Sequence, residues 1–256
     1  MNNFQYLLYE QELIDVAEQL GQSNNHKILI TDVAISKIPY VVYPDLDINE
    51  NLIVHELCEF LLKESRDKNN SNEVMLTYDF DNKLNIKNGF EYILEKTGIC
   101  YGTINQTDLF SDTLTQSIIM RAKNVAVLSI HNHPGSSPFS TLDISSFLKE
   151  TAIKLMIIVG NNGELYYLNK NKNYNHSSAR KYLTDAAKII VPNITPTYIC
   201  NYSQLKDISE LFLKNCKNFG IDYSHVLGTN RELEKINNEY KTTEPLNQES
   251  DEYEYE

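Results

Sequence analysis

The sequence SIHNHPGSSPFSTLDISSF, residues 129–147, carries the pattern that decides the fold. It overlaps the end of an apolar run, residues 125–130, which is typical of a buried strand. Because residues two apart on a strand point to the same face, His131 and His133 can present both imidazoles to one ion. A proline follows directly and stops strand pairing, and a loop rich in Gly and Ser leads to the next element.

A helix is predicted to begin at Ser140 and to carry Asp143 in its first turn. Two neutral imidazoles and one carboxylate form the three-ligand set of a catalytic zinc, which leaves a fourth position for water. The spacing Ser140-x-x-Asp143 is also that of a helix N-cap, which needs no metal. Because two histidines alternate at a strand end just before the capped aspartate, we favour a metal site formed by His131, His133 and Asp143.

The segment HNHPGSSPFSTLD resembles the signature of the JAMM (MPN-type) metallopeptidases: His-x-His-Pro, a short spacer and Ser-x-x-Asp. Its HNHP form is similar to that of the bacterial RadC-type branch and of JAMM domains in mobile elements. The resemblance implies that His131, His133 and Asp143 bind zinc. It also implies that Ser140 helps to hold the oxyanion. The spacer of five residues between Pro134 and the serine is one residue shorter than in the most familiar members.

The resemblance further implies a glutamate general base at the head of an earlier strand. Residues 73–80, EVMLTYDF, predict a strand that Glu73 begins. Matching this region to the RadC-type pattern requires an insertion of several residues, so Glu91 and Glu95 stay open as alternative bases. The chemistry requires such a base, because zinc lowers the pKa of bound water to about 7 but the proton must still reach the leaving amine.

The order of predicted elements indicates an α/β fold, and the resemblance implies a JAMM/MPN-like sheet, layered as in cytidine deaminases and flanked by helices. Helices are predicted over residues 48–65, 112–123 and the segment after Ser140, and strands over residues 73–80, 83–86, 99–104, 125–133, 155–160 and 164–170. We divide the chain into an N-terminal α+β extension, a JAMM-like domain, a helical C-terminal extension and a disordered acidic tail, at residues 1–47, 48–170, 171–241 and 242–256.

Each extension has its own predicted elements. The N-terminal extension is expected to contain a helix over residues 5–20 and strands over residues 27–31 and 38–43. The C-terminal extension is expected to contain helices over residues 179–191 and 208–219. Neither pattern predicts a function of its own.

Composition limits the classes of partner. The chain of 256 residues has a formal net charge of −12, and its body stays acidic without the tail. This balance argues against broad nucleic-acid binding, which needs a basic surface. Four scattered cysteines favour reduced thiols, and the first residues lack the basic start of a signal peptide. No run approaches the ~20 apolar residues of a membrane helix, so we expect a cytoplasmic protein without a membrane partner.

Two classes of function follow from these patterns. The first is a zinc-dependent peptide or isopeptide hydrolase, whose protein or peptide substrate, by family resemblance, includes ubiquitin-like conjugates. The second is a non-catalytic JAMM-fold binding module, or a RadC-like protein associated with DNA metabolism or mobile elements. The complete ligand set argues against the binding module, and the acidic balance argues against DNA. The sequence leaves the substrate and the oligomeric state open.

Overall fold

A computed structural model describes residues 27–122, 124–192, 194, 198 and 200–228. The helix predicted over residues 5–20 and the acidic tail over residues 242–256 lie outside the described residues. The α-helices of the described part are α1 (Asp32–Ser36), α2 (Ile48–Asn69), α3 (Phe90–Leu94), α4 (Thr113–Arg121), α5 (Thr141–Lys149), α6 (His176–Ile190) and α7 (Tyr202–Asn215). Its strands are β1 (Val74–Asp79), β2 (Gly98–Tyr101), β3 (Val127–His133), β4 (Ile153–Gly160), β5 (Leu165–Lys170) and β6 (Ile221–Val226).

The strands of the described chain form one mixed six-stranded sheet in the order β2-β1-β3-β4-β5-β6. β3 and β4 are parallel, and helix α5 makes the crossover between them. The other neighbouring strands pair antiparallel. Helices flank this sheet, which confirms the α/β class predicted from the order of elements.

Helix α2 covers one face of the sheet. It begins with a capping box between Asp47 and Glu50, and it buries apolar side chains such as Ile53, Leu57 and Leu61 at helical spacing. Each such buried side chain contributes about 1.5–3 kcal/mol relative to an exposed one. A separate apolar cluster on the other face joins the sheet to residues of α4, α5, α6 and α7. The sheet is therefore the middle layer between two layers of helices.

Strand β3 lies in the middle of this arrangement, and all of its residues are buried. Leu128 and Ile130 belong to the cluster that contains α2, whereas Val127 belongs to the cluster on the opposite face. Alternation along the strand therefore places His131 and His133 on the second face, where α5 packs.

Three predicted strands are wrong. Residues 27–31, 38–43 and 83–86 contain no strand, because their polar groups are satisfied in other ways. In the first segment the Ile28 N–H donates to Pro134 O. In the last segment the side chain of Asn49, on α2, donates to Leu84 O and accepts from the Ile86 N–H. These groups therefore do not enter a strand ladder.

The prediction of a wholly helical C-terminal region is wrong. Helices α6 and α7 are present there, but β6 follows them and pairs antiparallel with β5 along its whole length. β6 is short, partly exposed and at the edge of the sheet, so its sequence lacks the apolar run of a central strand. The boundary predicted at residue 170 thus falls between two paired strands. None of the described helices has the length and apolar character needed to cross a membrane.

Lys170, at the end of β5, is buried at the C-terminal end of α5. Its Nζ donates to Phe147 O at 2.8 Å and to Glu150 O at 3.0 Å, and it lies over the Phe147 ring. These bonds satisfy carbonyl groups that the helix end leaves free. Burial lowers the pKa of Lys170 to about 7, against a smaller opposing effect of the Glu150 carboxylate.

This depressed pKa predicts a pH dependence of stability. Between about pH 7 and pH 10 the unfolded chain binds a proton at Lys170 that the folded chain does not, so stability rises with pH by up to about 1.4 kcal/mol per unit. Lys170→Met should lose this rise, as measured by urea unfolding at several pH values. Lys181→Met, at an exposed lysine on α6, is the control that should follow the wild type. Parallel profiles of Lys170→Met and wild type would contradict the prediction.

Candidate metal centre

The end of β3 and the first turn of α5 bring together three side chains of types that can bind a metal. His131 Nε2 and His133 Nε2 lie 3.1 Å apart. Asp143 places Oδ1 at 3.2 Å from His131 Nε2 and Oδ2 at 3.5 Å from His133 Nε2. Both histidines are buried and the aspartate is partly buried. This group, predicted from the sequence, could hold a metal ion.

The hydrogen bonds of His133 define which of its ring nitrogens carries a proton. Nδ1 lies 2.9 Å from Ser137 O and 3.1 Å from Ser137 Oγ. Because a carbonyl oxygen can only accept, Nδ1 holds the proton, and Nε2 presents a lone pair to the site. Burial lowers the pKa of His133 to about 4, more than the Asp143 carboxylate raises it. The ring is therefore neutral at pH 7, which is the form that binds a metal.

Asp143 is held as a carboxylate. Burial alone would raise its pKa, but the electrostatic effect of the nearby His133 and His131 imidazoles and the hydrogen bond from Ser140 lower that pKa well below its usual range. Its Oδ2 accepts from Ser140 N and from Ser140 Oγ, each at 2.7 Å. The N-terminal end of α5 also favours a negative charge at this position.

Ser140 forms a capping box with Asp143, as the spacing predicted. Its hydroxyl donates to Asp143 Oδ2 and accepts from the Asp143 N–H at 3.1 Å. The single hydroxyl proton is therefore used on Asp143, and this geometry favours a role in orienting that carboxylate. The oxyanion role of Ser140 stays a prediction and requires its hydroxyl to turn toward a substrate.

Glu73 lies directly before β1, on the same face of the sheet as the two histidines. The antiparallel pairing of Met75 with His131, continued by two residues, brings Glu73 opposite His133. Its carboxyl is buried and accepts a hydrogen bond from Thr107 Oγ1 at 3.0 Å. Burial, and then the charge of Asp143, raise the pKa of Glu73 well above its usual value, although the Thr107 bond lowers it.

The two alternative bases lie elsewhere. Glu91 is exposed on α3, and Glu95 is exposed directly after it. Helix α3 packs against α2, where the rings of Phe60 and Phe90 meet with centroids 6.0 Å apart. Because α2 covers the opposite face of the sheet, the fold brings Glu73, and neither alternative, to the face that carries the histidines.

Asn132 lies between the two histidines on β3, and its side chain points to the opposite face of the sheet. The sequence patterns did not predict its role. Its Oδ1 accepts from the Val74 N–H at 2.7 Å, and its Nδ2 donates to Asn161 Oδ1 at 2.8 Å and to Asn72 O at 3.1 Å. These bonds fix the start of β1, and hence Glu73, against the end of β3. Strand alternation predicts its direction, but its partners are distant in the sequence.

Thr107 and Ser137 are further residues of the site that the sequence did not indicate. Each fixes a functional side chain, Glu73 and His133 respectively. Threonine and serine are common in loops, so residue type alone gave no signal. Their contacts with Glu73 and His133 become visible only in the structure, where their loops approach the end of the sheet.

No protein-family model, curated protein or solved structure matches the chain. What the site can do is therefore inferred from its own chemistry. It combines three converging side chains that could hold a metal ion, a carboxylate kept ionised, and a buried glutamate with a raised pKa on one face of the sheet. Perturbed groups of this kind cluster at catalytic sites.

Proposed function

We propose that the protein is a zinc-dependent hydrolase of peptide or isopeptide bonds, of the JAMM type. The observation that carries the proposal is the convergence of His131, His133 and Asp143 on one point, with Glu73 on the same face. The order of elements along the chain supports the proposed family. Helix α2 is followed by a strand headed by Glu73, then by the strand that ends in His-Asn-His-Pro, and then by the helix that carries Asp143.

The donor set fits zinc. Ligands bound at about 2.05 Å to a tetrahedral zinc lie about 3.3 Å from one another. His131 Nε2 and His133 Nε2 are 3.1 Å apart, and each lies near one oxygen of Asp143: His131 is 3.2 Å from Oδ1 and His133 is 3.5 Å from Oδ2. Donor atoms from the three side chains therefore lie close enough together to hold one ion. Two imidazoles and one carboxylate are also a ligand set that leaves a position for water, as catalytic zinc sites do.

The chain's own residues divide the chemistry. His131, His133 and Asp143 would hold the ion, and the ion would supply a Lewis acid that lowers the pKa of water to about 7. Glu73 takes a proton from the attacking water and delivers it to the leaving amine. Its raised pKa matches this task, because a carboxyl that ionises closer to neutral pH both accepts and returns a proton readily.

Ser140 has two roles in this mechanism. Its hydrogen bonds orient Asp143 in the described arrangement, and a turn of its hydroxyl would provide a donor for the oxyanion. One such donor is typically worth about 3 kcal/mol of transition-state stabilisation. The substrate is proposed to be a protein or peptide, with a ubiquitin-like conjugate as the example that the family resemblance implies. A binding module would need neither a complete ligand set nor a buried glutamate beside it.

Metal content tests the proposal. Elemental analysis of the purified wild type should find about one zinc per chain, and His131→Ala should lose it because a ligand is gone. His225→Ala, at an exposed histidine of β6, is the control that should keep the metal. Peptide and isopeptide substrates would then be tested with the loaded wild type. Absence of zinc from the wild type, even after reconstitution, would favour the binding module and indicate that the short spacer after Pro134 disrupts the site.

A further inference from the structure

Three buried polar atoms that lack partners among the described residues belong to His131 and to two residues near it on the same face of the sheet. Within the part of the chain that the structure describes, His131 Nδ1, Ser129 Oγ and Thr77 Oγ1 have no hydrogen-bond partner. Ser129 and Thr77 are fully buried, and His131 is 2% exposed. Leaving buried polar atoms without partners is costly, so three of them in one place need a physical account.

Sheet register brings these three side chains together. Thr77 on β1 pairs directly with Ser129 on β3, and the β-carbons of such a pair lie about 4.5–5.5 Å apart. His131 is two residues further along β3 and therefore shares their face. The Nε2 atom of its ring takes part in the metal centre, whereas Nδ1 is the atom that remains without a described partner.

Helix α4 closes this region from solvent. It packs against β1 and β2 on the face of the histidines. Gly98 pairs with Thr77 on the other side of β1, and Thr115 of α4 lies so close to it that a β-carbon at Gly98 would meet Thr115 Oγ1 at 2.1 Å. Ile118, also on α4, belongs to the apolar cluster of this face. The polar group is thus enclosed between helix and sheet.

The two ligand histidines differ in their outer contacts. His133 donates its Nδ1 proton to Ser137 O, which fixes its ring and the lone pair on Nε2. Metal-binding histidines almost always make such a second bond, because it sets the tautomer and the ring orientation. For His131, no described protein group takes that role. A buried water typically has two to four polar partners, and the group of His131, Ser129 and Thr77 offers three.

We propose that His131 Nδ1, Ser129 Oγ and Thr77 Oγ1 bind one buried water, and that this water holds the His131 ring for metal binding. The Nδ1–H donates to the water oxygen, and the water donates to the two hydroxyl oxygens. Ser129 and Thr77 are positioning residues, since they act through His131. The inference rests on the proposed function only in that it needs the metal centre; it does not depend on the substrate or on hydrolysis.

Metal affinity of the full chain tests this role. The affinity for Zn²⁺ would be measured by competition with a chelator for the wild type, Thr77→Val and Ser129→Ala. Loss of an outer contact to a metal-binding histidine typically costs 10–100-fold in affinity, so each variant should weaken binding by about 10-fold or more. Thr77→Ser restores the hydroxyl and should bind as the wild type does. Ser209→Ala removes a buried hydroxyl on α7 that bonds within its own helix, and serves as the control.

A second readout separates positioning from general destabilisation. In the zinc-loaded wild type, the Nδ1 proton of His131 should give a slowly exchanging NMR signal, which Thr77→Val and Ser129→Ala shift or remove and Thr77→Ser keeps. Wild-type affinity and an unchanged signal in both hydroxyl-free variants would overturn the buried water and leave the proposed function intact. A wild type that binds no metal would overturn both.

Discussion

Glu73→Gln is expected to reduce hydrolysis of a peptide or isopeptide substrate by about 10²–10⁴-fold, the usual contribution of a general base. The amide keeps the size of the side chain and can still accept the hydrogen bond from Thr107, but it cannot take a proton. Zinc content should stay at the wild-type level, because Glu73 is not among the ligands. The measurements are kcat/KM and zinc stoichiometry on the same preparation.

Matched controls for this experiment exist in the chain. Glu91→Gln and Glu95→Gln alter the two exposed glutamates on the far side of the sheet, and both should retain wild-type activity. Loss of activity in one of them, with Glu73→Gln active, would assign the base to the other face and contradict the geometry. Wild-type activity in all three variants would show that none of these glutamates is the general base.

Asp143→Ala is expected to abolish both zinc binding and hydrolysis. The change removes a ligand and the charge that balances the ion, and it also opens the capping box of α5. The variant also loses the two hydrogen bonds that Asp143 accepts from Ser140 at the start of α5, so part of the effect would appear as a lower free energy of unfolding. Zinc retained after dialysis, activity and urea unfolding would be measured together.

Asp143→Asn and Ser140→Ala separate the two contributions. The asparagine Oδ1 can still accept the Ser140 N–H but carries no carboxylate charge, so Asp143→Asn should largely preserve stability and still lose the metal. Ser140→Ala keeps the carboxylate and loses the cap, so it should bind zinc with reduced stability. Full hydrolysis by Asp143→Ala would refute the metal assignment.

Local patterns explain which parts of the fold could be predicted. The alternation in β3, the apolar spacing of α2 and the capping box of α5 are each set within a few residues of sequence. The same local patterns brought His131, His133 and Asp143 onto one side of the sheet. Glu73 needed more than a local pattern, because its place depends on how β1 pairs with β3.

The parts that were missed depend on distant contacts. The segment 83–86 has the residue types of a strand, but Asn49 on α2 takes its backbone groups. Strand β6 forms because β5 offers a free edge, and its own sequence has only a weak alternating pattern. Thr107 and Ser137 enter the site through loops whose course no periodic pattern sets.

The alternation of His131, Asn132 and His133 also makes the pairing of β1 with β3 sensitive to error. A shift by a single residue would turn both imidazoles toward α2 and would bury Asn132 away from the Val74 N–H and Asn161. A chain misaligned in this way would lose both the candidate metal site and the hydrogen bonds of Asn132. The pairing of β1 with β3 that forms the candidate metal site is therefore also the one that satisfies Asn132. We expect β3 to tolerate neither insertion nor deletion of a residue.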